Sequence, residues 1–229
     1  MQQALASFIP TSFRRLRIDD IKRARDTGHF AACFLFVLSV LSYPVGLLQH
    51  WWSRGGLEAR DKWRIDVWIV TWAIANVVVL FFLLSRQPLF IIFPIARMVD
   101  LLYVLVRLPL LGRRVYRRGR ALLFLLVHYF EVTTIFGSIY IFLQQTKGAP
   151  IFLVQGQPGC LSPAQAFYFS VSTAATVGYG DITPNLKADL SWAQPSTFIA
   201  LEVFCIIIII VLDVAHIFSK LDSTESNPG

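Results

Sequence analysis

Charge is scarce in this chain. Only 15% of its 229 residues are Asp, Glu, Lys or Arg, against 55% hydrophobic, and the mean hydropathy is +0.59. So little charge cannot clothe a water-soluble globule of this size, and the composition is that of a membrane protein. Cysteine is sparse as well. Cys33, Cys160 and Cys205 are scattered and odd in number, which excludes a disulfide framework and a cysteine-based metal site. Cys160 falls in a loop and reads as a lone thiol, with a cross-link between subunits as the alternative. No nucleophile–base set, metal-ligand spacing or phosphate-cradling glycine loop occurs, so neither enzymatic chemistry nor a cofactor is expected. The net charge of +7 does not signal nucleic acid, because the basic residues border apolar runs, as they do at a membrane surface.

What is present is a succession of apolar runs. Residues 1–28 form a basic lead, in which Arg14, Arg15, Arg17, Lys22, Arg23 and Arg25 outnumber Asp19, Asp20 and Asp26. It is either an amphipathic helix on the membrane or a solvated tail. Phe30–Gln49 and Val67–Leu84 are each about long enough to cross a bilayer, and together they predict a two-span hairpin over 29–86. Trp51, Trp52, Trp63 and Trp68 flank the intervening loop, as tryptophans do at a membrane–water boundary. Leu89–Leu111 is apolar but carries Pro94, Arg97, Asp100, Arg107 and Pro109. It is expected as a helix or helical hairpin lying in the inner interface, within a linker over 87–120, with Arg97 and Asp100 on one face. Ala121–Leu143 predicts a third span, Ser196–Ser219 a fourth, and 221–229 a short polar tail.

Between the last two spans lies Thr176-Val177-Gly178-Tyr179-Gly180-Asp181. Successive carbonyls of an ordinary strand alternate in direction. Glycine tolerates positive φ, so Gly178 and Gly180 let the chain keep turning its oxygens to one side. Such a loop can replace the water of a cation with backbone carbonyls. Ahead of it, Pro163–Ala175 is short and apolar with proline near its start, suiting a re-entrant helix whose negative dipole end would aim at the ion path. Irregular backbone is tolerated at membrane depth where it lines such a path.

Ser170-Val171-Ser172-Thr173-Ala174-Ala175-Thr176-Val177-Gly178-Tyr179-Gly180-Asp181-Ile182-Thr183-Pro184 resembles the pore signature of the tetrameric potassium-channel superfamily. The likeness extends over about 121–220, as outer helix, pore helix, filter and inner helix. Joined to the two-span hairpin and the interfacial linker read from the apolar runs, it gives an all-α membrane protein with four transmembrane helices, a re-entrant pore helix and filter loop, and the linker between spans two and three. It also implies a homotetramer among membrane lipids, passive K⁺ conduction, and a multi-pass place in the cell membrane with both termini cytoplasmic. The ion sites would be the carbonyls of Thr176, Val177, Gly178 and Tyr179 with the Thr176 hydroxyl, Gly180 completing the filter. Asp181, Ser172 and Glu202 would support it. Some bacterial members carry Glu where this chain has Ser172, so a Glu–Asp pair with Asp181 is not available here. A family-like glycine hinge is missing too, and Cys205 or Ile206 stands near its place, which argues for a stiff inner helix, with gating at the filter or by small helix rotations rather than by a wide hinge bend.

Several ionisable residues remain open at this point. Glu202 is expected to hydrogen-bond backbone around the pore helix. Asp213 either faces the pore as a ring of carboxylates or points outward to pair with His216 or with the Arg113–Arg120 cluster. His216 is either a sensor of internal pH or a packed helix-end residue. His128 and Glu131, three apart, are either a tuned proton-sensitive pair or a hydrogen-bonded structural one. Arg114, Arg117 and Arg120 have the spacing of a voltage sensor, but Gly112 and Gly119 interrupt it. A transporter subunit and a non-conducting membrane sensor are the rival functions. No cytoplasmic ligand-binding domain is expected.

Overall fold

The computed structural model describes residues 22, 29–42, 62–82, 87–110, 118–147, 150–186 and 194–225. Apart from Lys22 the basic lead lies outside them, as do the loop at 50–61, Arg113, Arg114 and Arg117, and the end of the tail. Among the described residues the order is α1 (His29–Leu41), α2 (Lys62–Phe81), α3 (Pro88–Leu110), α4 (Arg118–Lys147), β1 (Phe152–Val154), β2 (Gln157–Gly159), α5 (Pro163–Ala174), β3 (Ile182–Pro184) and α6 (Pro195–Glu225). Helices dominate, as the apolar runs require, since only a helix satisfies its own backbone in lipid. Pro88–Val106 and Leu123–Thr146 are long and apolar enough to cross a membrane, while Val67–Phe81 and Pro195–Val211 are shorter apolar helical stretches.

The chain divides into two compact units, one of residues 1–71, 96–121 and 212–229, the other of residues 72–95 and 122–211. In the first, Leu38 of α1 and Tyr103 of α3 form a buried cluster with Val99, Leu102, Val104 and Val106 around it. Arg97 and Asp100 are buried on α3, and the guanidinium Nη1 donates to the Asp100 carboxylate at 2.8 Å. The stretch 89–111 is thus one helix rather than a hairpin. The two charges that argued for an interfacial position neutralise one another one turn apart, so they do not by themselves call for water.

In the second unit the outer helix α4 is the centre. Every residue from Glu131 to Ile141 is buried. Its small hydroxyls are satisfied within the helix: the Thr133 and Thr134 hydroxyls donate to the Phe130 carbonyl, and Ser138 to that of Thr134. The external loop is more ordered than its glycines and prolines imply. β1 pairs antiparallel with β2 and with β3, giving the order β2-β1-β3. Gln155 (φ 52°) and Gly156 (φ 75°) both take the left-handed region, the geometry of a two-residue type I′ hairpin turn. The expectation of a purely helical protein is therefore corrected by one small sheet.

Asp100→Leu should strip the buried Arg97 of its acid and destabilise the protein by about 3 kcal/mol or more. Arg97→Leu with Asp100→Leu should recover most of that loss, read as thermal unfolding in detergent.

Candidate functional site

The site is built on the short helix α5. Ser162 caps it: the Ser162 hydroxyl accepts from the Gln165 backbone N–H at 3.3 Å, and the Gln165 side-chain oxygen accepts from the Ser162 N–H at 2.9 Å. This reciprocal capping box, with Pro163 in the first turn, starts the helix at a defined residue. At the other end the helix leaves its last carbonyls free, and the following loop takes them. Ala175 N–H donates to Val171 O at 3.0 Å and Thr176 N–H to Thr173 O at 2.9 Å. Val177 and Gly178 both donate to Ser172 O, at 3.0 and 3.4 Å.

The loop's dihedral angles explain how its amides turn one way. Thr176 has φ 56°, Gly178 φ 53° and Gly180 φ 78°, while Val177 and Tyr179 do not take positive φ. Handedness thus alternates residue by residue. In such a ribbon successive N–H groups share one side and successive carbonyls the other. The amide side faces the helix end. Among the described hydrogen bonds, none uses the carbonyl of Thr176, Val177, Gly178 or Tyr179. The two glycines behave as expected from the sequence. Thr176 does not follow from it, because a left-handed Thr costs roughly 1 kcal/mol or more; here its amide bond to Thr173 O holds it.

The supporting residues act in ways the sequence did not disclose. Ser172 supports the loop through its backbone carbonyl, while its hydroxyl donates to Phe169 O at 3.0 Å. Asp181 accepts from the Ile182 N–H at 3.0 Å and, through its carbonyl, from the Gln155 N–H at 2.7 Å, which fastens the hairpin turn to the end of the loop. The Tyr179 ring stacks on Tyr168 of α5, 6.2 Å between centres and 10° from parallel.

Glu202 is fully buried and does not bond backbone as expected. It accepts from two side-chain hydroxyls, Tyr140 of α4 at 2.5 Å and Ser170 of α5. One carboxylate of α6 thereby ties the outer helix and the pore helix together. Around it, Tyr140, Phe152 of β1 and Phe169 of α5 meet edge to face at 5.3 to 5.6 Å, each such pair adding about 1 kcal/mol to its burial. Gln144 clamps the loop end of α4: its amide donates to Leu161 O at 2.8 Å and its oxygen accepts from Leu161 N at 2.7 Å.

Glu131 is buried on α4 and accepts from the side-chain amide of Asn76 of α2 at 3.3 Å. His128 is buried and its ring lies parallel to Phe124 at 6.2 Å. Asp213 and His216 lie on α6, but their side chains are outside the described residues. Cys205 is buried and Cys160 exposed, both free thiols.

Glu202→Ala should leave the Tyr140 and Ser170 hydroxyls buried without their acceptor and cost about 3 kcal/mol in thermal unfolding. Glu202→Gln keeps an acceptor of the same shape and should cost about 1 kcal/mol.

Residues 128–220 match the protein-family model described as "Ion channel". The match covers α4 from His128, the whole pore helix and loop, and α6 as far as Lys220. No curated protein and no solved structure matches the chain. An ion-channel domain conducts rather than catalyses, in keeping with a chain that is not an enzyme. Over residues 128–220 the chain is therefore similar to the conducting domain of ion channels.

Proposed function

We propose that this chain forms a homotetrameric, potassium-selective channel whose filter is Thr176–Gly180. The observation that carries the reading is the alternating handedness of Thr176, Gly178 and Gly180, with the amides bonded to α5 and the carbonyls left unused by protein. Four such ribbons around one axis would give a K⁺ ion rings of oxygens in place of its hydration shell. Selectivity would reside in the carbonyls of Thr176, Val177, Gly178 and Tyr179 and the Thr176 hydroxyl, with Asp181, Ser172 and Glu202 as support.

Four copies are favoured because one loop supplies only a quarter of a cage. Further support comes from what one chain leaves uncovered. Val177 is 52% and Tyr179 68% exposed, and Leu201, Phe204, Ile207 and Val211 form an exposed apolar stripe along α6. Bare side chains on both sides of the ribbon call for neighbouring copies. α6 is one continuous helix without glycine from Pro195 to Glu225, which favours gating at the filter over a wide hinge bend.

The protein would sit in the cell membrane, with α1, α2, α4 and α6 as spans. For α3 a second reading has its own observations. Leu89, Ile92, Phe93 and Ile95 are exposed and apolar, and the charges of Arg97 and Asp100 are mutually neutralised. Both favour a crossing α3 over an interfacial one, which would put the two termini on opposite sides.

The test is ion flux into liposomes holding the purified protein, with K⁺ or Na⁺ as the sole permeant cation. K⁺ flux blocked by Ba²⁺ and absent with Na⁺ is the expected result, and Gly178→Ala, which forces a side chain into the left-handed region, should abolish that preference. Equal K⁺ and Na⁺ flux would contradict selectivity.

A further inference from the structure

The chain outside the ion-channel domain touches the pore helix directly. α2 ends well before His128, where the domain match begins. Its residues from Trp72 onward belong to the same compact unit as the pore helix and filter, and they lie on the seam between α4 and α5. Leu80 is fully buried. Its Cδ2 lies 3.3 Å from where a Cβ on Gly137 of α4 would stand, and that same point is 3.5 Å from the backbone carbonyl of Ala166 in α5. One glycine therefore marks the place where three helices meet with almost nothing between them. Phe81, next to Leu80, leans on Phe167 of α5 at 6.3 Å, and Phe130 of α4 meets the same ring edge-on at 5.6 Å. Asn76, 1% exposed, donates to the Glu131 carboxylate.

These contacts differ in kind. The Asn76–Glu131 bond fixes the register of α2 on α4, because a polar group at membrane depth that loses its partner is costly. Leu80 and Phe81 press on α5 near Ala166 and Phe167. That helix is short, and its carbonyls at Val171, Ser172 and Thr173 hold the filter amides. A close-packed interior passes a small displacement on rather than absorbing it. A shift at Ala166 is therefore passed along α5 towards Ser172 O, less than two turns away, by a path that does not start from α6, although Ser170 on that path is bonded to Glu202.

We infer that α2 is a positioning element for the pore helix: Asn76, Leu80 and Phe81 set the geometry of the filter from outside the ion-channel domain. The N-terminal half of the chain thus has a route to ion passage that bypasses the inner helix. This rests on the potassium-channel reading above.

Leu80→Ala empties space at the seam, and Gly137→Ala puts a methyl into the same space. The two single variants and the double variant are compared with the wild type, all full-length, at matched amounts of assembled protein in liposomes. Two quantities are read: K⁺ and Na⁺ flux, and the extra heat stability conferred by K⁺ over Na⁺, which reports ion occupancy without conduction. Each single variant should lower the K⁺-over-Na⁺ preference roughly five-fold, and the double variant should lie closer to wild type than either. A merely structural seam would lower the melting temperature while leaving both ion preferences at wild-type values, and that result overturns the inference. Strictly additive effects on the preference overturn it as well. A wild type with neither K⁺ flux nor K⁺-specific stabilisation would bring down the potassium reading and this inference with it, whereas a loss confined to the variants bears on α2 alone.

Discussion

The constraint on which the rest depends is the satisfaction of backbone groups where water is absent. A helix that stops inside a membrane leaves its last carbonyls bare, and a loop that follows it brings bare amides. Here each solves the problem of the other. The amides of Ala175, Thr176, Val177 and Gly178 close on the carbonyls of Val171, Ser172 and Thr173. That closure occupies the amides of Thr176, Val177 and Gly178, while none of the described hydrogen bonds uses the carbonyls of Thr176 to Tyr179. It also explains why the ribbon alternates in handedness, since only alternation brings successive amides to one side.

Because the filter hangs from α5, everything that places α5 places the filter. The pore helix is held at both ends and at its back. Its N-terminus is capped by Ser162 and Gln165, and Leu161 just before it is gripped by Gln144. Its middle is bonded through Ser170 to Glu202 and so to Tyr140. Its back is covered by Leu80 and Phe81. The small sheet completes the frame at the far end of the loop, where the Asp181 carbonyl meets the hairpin turn at Gln155. Buried carboxylates recur in this frame, Glu131 towards α2 and Glu202 towards α5. In an apolar surrounding a carboxylate binds its donors firmly, because the alternative is desolvation without compensation.

The left-handed Gly178 and Gly180 were legible in the sequence because their requirement is local: glycines at alternate positions, in a short loop behind a proline-led helix. The capping box was equally local, Ser162 with Gln165, and was there to be read. Other features were not legible because their partners are distant. Glu202 meets residues 62 and 32 positions away, and nothing in the pattern around it names a tyrosine and a serine. Left-handed Thr176 runs against its own preference and is held by its bond to Thr173 O, which the residue types do not announce. Strands of three residues rich in Gly and Pro carry too little periodicity to announce a sheet. For 89–111, the parity of spans pointed to the interface; that Arg97 and Asp100 meet one turn apart was visible in their spacing, but their burial was not.

The carbonyls freed by this closure are proposed as ion sites. Crystals of the assembled protein grown in Rb⁺, with anomalous scattering recorded at the rubidium edge, test this directly. A row of anomalous peaks on the symmetry axis, flanked by the carbonyls of Thr176, Val177, Gly178 and Tyr179, is the predicted result. An axis without peaks in a protein that conducts K⁺, or peaks seated on side-chain carboxylates instead, would contradict it.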